Sequence, residues 1–173
     1  MCQHFDINLE TIASEAENRR DDYAAFRYFV ELDERSDAEL DALVESIAGP
    51  IRTAIDCRQC ANCCRKLEVY LTEADARRLA GGANVSYEQL VEDKIDCQRA
   101  AAVGEWGVLA QQPCSFLDGK LCSIYARRPE SCRTYPVFTP DFRWTLQDIL
   151  GGVGLCPIIY HVIEQLQVEL GWK

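Results

Sequence analysis

Apolar positions in the first third of the chain follow a helical period. From Leu9 to Leu32 there is no Gly or Pro, and Ile12, Ala16, Tyr23, Phe26 and Val30 recur near a 3.6-residue spacing. This predicts a helical stretch with one buried face. Ser36, with Glu39 three residues on, reads as a capping box, and Leu40, Leu43, Val44 and Ile47 follow as an i, i+3, i+4, i+7 stripe. A second helix is therefore expected, ended or kinked at Gly49-Pro50.

Beyond residue 66 the pattern shortens. Leu67-Glu68-Val69-Tyr70-Leu71 alternates and predicts a short strand, and Val108 to Ala110 a second. Thr72 with Asp75, and Ser86 with Gln89, mark two further helix starts. Phe116 to Leu121 sets an Asp118-Gly119 turn between apolar flanks, a hairpin signal. Pro157 suits the first position of a last helix, with Ile158, Val162, Ile163 and Leu166 on its apolar side.

Composition adds an oddity. The 173 residues include 10 cysteines, and the net charge is −10. The acidity argues against a nucleic-acid surface, which needs Lys and Arg to neutralise phosphates. No stretch approaches the roughly 18 apolar residues of a membrane span. Met1 to Asp6 carries no basic and apolar export signal, so a cytoplasmic location is expected. There thiols stay reduced, and clustered cysteines read as metal ligands or redox groups.

Charge and cysteine are segregated. Residues 1–56 hold 14 Asp and Glu against 5 Lys and Arg, while residues 57–173 hold 14 against 13. Only Cys2 lies in the first part. The expected organisation is an acidic helical extension over 1–56, packed on a cysteine-cluster domain over 57–173. Solvated helix faces account for the acidity; the alternative is a surface for a protein partner.

The first cysteine group is Cys57-x2-Cys60-x2-Cys63-Cys64. Two-residue spacers let thiolates turn toward a common point, as in zinc knuckles and iron–sulfur loops. On a helix at about 100° per residue, Cys57, Cys60 and Cys64 would share a face and Cys63 would point away from Cys64. The adjacent pair is expected to serve two centres, or one centre and one other role. The second group is Cys114, Cys122, Cys132 and Cys156. The hairpin would bring Cys114 and Cys122 together, and Cys156 stands at the mouth of the last helix. Against the acidic background, residues 57–66 and 113–136 carry Arg58, Arg65, Lys66, Lys120, Arg127, Arg128 and Arg133 but only Asp118 and Glu130. Such cations offset the charge of a thiolate-ligated centre. Isolated Cys2 and Cys97 read as small core residues, and His4 and His161 as packing or surface groups.

Taken in order, these blocks resemble the YkgJ-type cysteine-cluster proteins, a zinc- or iron-chelating family. The first matches its CxxCxxCC element. The second, from Pro113 to Pro136, follows its C-x-F-L, G-x-C-x-I-Y, R-P and C-R-x-Y-P pattern, and Cys156-Pro157 fits its last cysteine. Ala61 stands where the family often has Gly. The resemblance spans roughly residues 57–157 and implies a metal or iron–sulfur centre, with no implied reaction.

The resulting expectation is a small, mostly helical α+β domain with short strands and a hairpin, organised around a cysteine-ligated centre. The eight candidate ligands are Cys57, Cys60, Cys63, Cys64, Cys114, Cys122, Cys132 and Cys156. An iron–sulfur cluster, most simply [4Fe–4S], is favoured over zinc, in a redox or accessory role. One alternative is a small metal-dependent enzyme, an oxidoreductase or a methyltransferase related to the flagellin lysine-N-methylases. Another is a zinc-stapled interaction module. No nucleic acid or membrane is expected as a partner.

Overall fold

The computed structural model describes residues 5–173; Cys2 and His4 lie outside the described residues. The Asn8 side chain accepts from the Glu10 and Thr11 amides and starts α1 (Leu9–Asn18). The predicted first helical stretch is divided at Arg19, whose φ of −112° separates α1 from α2 (Arg20–Glu31). The Ser36–Glu39 capping box starts α3 (Asp37–Ala54), which runs through Pro50 instead of ending there. Ile51 continues the buried stripe of Leu40, Val44 and Ile47, and that burial offsets the proline's cost of roughly 3 kcal/mol.

Next come α4 (Cys57–Cys60), α5 (Asn62–Lys66), β1 (Tyr70–Leu71), α6 (Glu73–Ala83), α7 (Tyr87–Lys94), β2 (Ile95–Asp96), α8 (Cys97–Ala101) and β3 (Gly107–Leu109). The hairpin strands β4 (Leu117–Asp118) and β5 (Leu121–Cys122) precede a 3₁₀ turn (Tyr125–Arg127) and α9 (Glu130–Thr134). The chain closes with α10 (Phe142–Leu150) and α11 (Pro157–Glu169), with Pro157 at the start of the last helix as predicted. The fold is α+β, mostly helical with short antiparallel strands.

Residues 1–56 with 136–173 form one compact unit, and residues 57–135 a second. In the first, α11 packs on α3, and α10 on α2 and α3. Phe26, Val30, Leu40, Phe142, Leu146, Val162 and Ile163 are buried in it. Arg19 donates from one guanidinium to Glu164 and Gln167 of α11, at 2.5 and 2.8 Å. Buried Arg143 of α10 donates to the carbonyls of Val30, Asp33 and Arg35, beyond and at the end of α2, and to the Asp37 carboxylate.

In the second unit β3 is the central strand, antiparallel to both β1 and β2. The alternating run from Leu67 yields only two strand residues, and β2 has no counterpart in the predicted pattern. Both predicted capping residues hold: Thr72 accepts from the Asp75 amide to start α6, and Ser86 from the Gln89 amide to start α7. The core gathers Leu71, Ala76, Leu79, Leu90, Ile95, Leu109, Phe116 and Ile124, and Cys114, Cys122 and Cys132 pack partly buried against it. This core therefore supports the three cysteines Cys114, Cys122 and Cys132.

Candidate metal centre

The first cysteine block folds as two short helical turns. Between α4 and α5, Ala61 adopts φ 53°, ψ 19°, a left-handed conformation that reverses the chain. Glycine would take this conformation without steric cost, which gives a physical reason for glycine at such a position. Arg65 braces the turn: it donates to the Cys60 carbonyl at 3.0 Å and to the Gly119 carbonyl at 2.7 Å. That second bond ties the first block to the hairpin, and α4 packs against β5.

The second block is held by backbone contacts. The Cys114 amide donates to the Cys64 carbonyl at 2.8 Å, joining the two blocks directly. The predicted hairpin forms, pairing Leu117 with Cys122 and Asp118 with Leu121, but its two-residue loop is Gly119-Lys120, not Asp118-Gly119, with Gly119 supplying the positive φ. Arg128 lies 3.7 Å over the Tyr125 ring and donates to the Tyr125 carbonyl at 3.1 Å. The Ser131 hydroxyl donates to the Tyr70 carbonyl at 2.9 Å, fastening α9 to β1.

Cys64 interacts with four other sulfurs, those of Cys63, Cys114, Cys122 and Cys132. The Cys64 thiol is pulled down to about 6: a hydrogen bond from Cys63, together with Arg128 and Arg65, outweighs burial. The block is not one continuous helix, because Ala61 separates Cys57–Cys60 from Asn62–Lys66, and Cys63 hydrogen-bonds to its neighbour Cys64. Burial raises the Cys114 and Cys122 thiols, and the Cys64 charge adds to both. Cys132 is pushed up to about 12, first by burial and then by Cys64 and Cys114. The guanidinium groups of Arg65 and Arg128 thus favour charge on Cys64, while burial favours the neutral form of Cys114, Cys122 and Cys132.

Among the described residues, no three His, Cys, Asp or Glu side chains stand together in metal-holding geometry. Protonated thiols pack as small apolar groups, and a bound metal would hold them as thiolates, releasing the protons. The donor chemistry fits a thiophilic ion: soft sulfur, local positive charge and one sulfur already biased toward thiolate.

The other candidates are placed differently. Cys57 and Cys60 begin and end α4, Cys57 exposed and Cys60 half-buried. Cys156 is buried in the first compact unit, at the cap of α11. Cys97, read as a core residue, is instead exposed at the start of α8, because the apolar contacts of that short helix fall to Ala100. The His161 ring meets the Asp6 carbonyl and packs on Phe5 and Tyr160, in keeping with a packing role. Asp75, which in sequence signals only a helix cap, does more. Its second carboxylate oxygen accepts from the Glu130 amide at 3.0 Å, across 55 residues, and no local pattern signals that contact.

Residues 56–148 match the CxxCxxCC family model, described as a putative zinc- or iron-chelating domain. No curated protein and no solved structure matches significantly. With Cys57, Cys60, Cys63, Cys64, Cys114, Cys122 and Cys132 and more than half of the chain inside that match, and Cys156 beyond it, the chain belongs to the CxxCxxCC family.

Proposed function

We propose that this protein carries an iron–sulfur cluster, most simply [4Fe–4S], and serves as a redox or accessory protein. The observation that supports this best is the packing of Cys114, Cys122 and Cys132 against one core, each within electrostatic reach of Cys64, which Arg65 and Arg128 face in turn. These four would hold the cluster, with Cys57, Cys60, Cys63 and Cys156 as the remaining candidates. A bound cluster supplies one-electron chemistry, and four thiolates around an oxidised [4Fe–4S] core leave a charge near −2 for the arginines to offset. A reducing cytoplasm suits such thiols. The acidic α1 and α2 are the proposed contact for a protein partner.

The test is metal and acid-labile sulfide analysis of protein purified without air, read with its visible spectrum. Iron with matching sulfide is the expected result. Zinc without iron or sulfide would replace the cluster by a zinc site.

A further inference from the structure

The last cysteine of the central group rides on a helix that cannot stand alone. The helix α9 has only five residues, far below the roughly 12–15 at which isolated helices become even marginal in water. Its cap residue is Pro129, which gives no side-chain hydrogen bond to the exposed amides. Cys132 sits in the middle of this helix, so whatever fixes its first turn also fixes the sulfur.

That missing cap comes from another helix. Asp75 is buried at 2% exposure, and its two carboxylate oxygens have different partners. Oδ2 closes the capping box of α6, accepting from the Thr72 amide at 3.0 Å and hydroxyl at 2.9 Å. A capping box needs no more than this. Oδ1 accepts from Arg78 and from the Glu130 amide, the first amide of α9, at 3.0 Å. One carboxylate therefore caps two helices, its own and the one that carries Cys132.

The rest of α6 supports the same arrangement. A Cβ at Gly82 would fall 2.9 Å from Arg127 Cβ, so α6 lies directly against the 3₁₀ turn before α9. We propose that Asp75 is a positioning residue of the metal centre: it holds the first turn of α9 through the Glu130 amide, and so sets the Cys132 sulfur. This rests on the metal reading above, with the group acting outside the ligand shell. Outer-shell hydrogen bonds of this kind typically carry about 10–100-fold in metal affinity.

Glu130→Pro tests it cleanly. Proline removes that one amide donor yet suits the first position of a helix, and Pro129 already has the extended ψ of 159° that a following proline requires. Glu130→Ala is the control, since it loses the Arg133 ion pair but keeps the amide. The reduced full chain is titrated with cobalt(II), and Cys132 alkylation is followed by mass spectrometry in the metal-free chain. Relative to Glu130→Ala, Glu130→Pro should bind cobalt roughly 10–100-fold more weakly. It should also show a weaker thiolate-to-cobalt charge-transfer band and faster Cys132 alkylation. Asp75→Asn should move all three readouts the same way, and should add little to Glu130→Pro in the double variant. Cys132 reactivity equal in Glu130→Pro and Glu130→Ala, with helix content retained, would overturn the proposal. Should the wild-type chain take up no cobalt, the metal reading fails, while Cys132 reactivity still decides the role of Asp75. If Glu130→Pro does not fold, Asp75→Asn decides by the same comparison with wild type.

Discussion

Single residues carry unequal weight in this chain, and Arg143 shows how much one can carry. Its buried guanidinium satisfies carbonyls from Val30 to Arg35 while pairing with Asp37. Arg143→Met should cost about 3–5 kcal/mol in urea unfolding, because it strands several acceptors at once. A loss below about 1 kcal/mol would mean that water replaces those bonds. Ala61 is the opposite case. Glycine there would relieve roughly 1–2 kcal/mol of left-handed strain but forfeit a buried methyl worth about 0.8 kcal/mol. Ala61→Gly should therefore stay within about 1 kcal/mol of wild type. At this scale the sequence was most readable where chemistry is local. Ser36, Thr72 and Ser86 announce their caps, and Cys114 and Cys122 announce their approach through the Asp118-Gly119 turn. Nothing near Arg143 or Asp75 in sequence hints at partners more than 50 residues away, and Cys97 reads as a core residue only because an isolated cysteine packs well as a small hydrophobe, although its neighbours Asp96, Gln98 and Arg99 are polar.

At the level of elements, α6 bears most on the candidate centre, and its two adjacent glycines make a paired test. Gly81 has open space around it, so Gly81→Ala should stabilise by about 0.5–1 kcal/mol through helix propensity. A methyl at Gly82 would meet Arg127 Cβ and Cγ at 2.9 and 3.0 Å, atoms too near the backbone to swing aside. Gly82→Ala should therefore destabilise by about 1–3 kcal/mol and lower metal retention. Equal effects at both positions would show that the close approach is not a constraint. Between α1, α2 and α11, acid has a defined effect. Burial alone would raise the Glu164 carboxyl, but hydrogen bonds from Lys173, Arg19 and Tyr23 hold it below its ordinary value. A depressed carboxylate adds stability above its unfolded pKa, near 4.3, and loses it as the pH falls through the folded value. Unfolding midpoints should thus drop below about pH 4.3, and Glu164→Gln should flatten that drop. Element type was legible wherever periodicity was long, as in α3 and α11. It was not legible in α4, α5 and α9, which are too short to show a period. Nor did periodicity reveal that burial of Ile51 would carry α3 through Pro50.

For the whole molecule, the two compact units make removal of residues 1–56 informative. The helices α10 and α11 pack on α2 and α3 within one unit, and Arg19, Tyr23 and Arg143 bridge them. A chain of residues 57–173 should lose the helicity of α10 and α11 along with the deleted helices, read by far-ultraviolet circular dichroism. Full retention of those two helices would contradict their dependence on the N-terminal ones. The mutual arrangement of distant segments is what the linear pattern could least convey, because pairings such as Arg19 with Glu164 depend on side chains 145 positions apart. The cysteine blocks, by contrast, were legible as a pair, since their spacing and local positive charge are sequence properties. Whether those blocks hold a metal is read from the native mass spectrum of the full chain isolated without air, compared between Cys132→Ala and Cys97→Ala. The wild type should carry a mass excess of one metal centre that Cys97→Ala keeps and Cys132→Ala loses; a bare-chain mass for the wild type would rule out a metal centre.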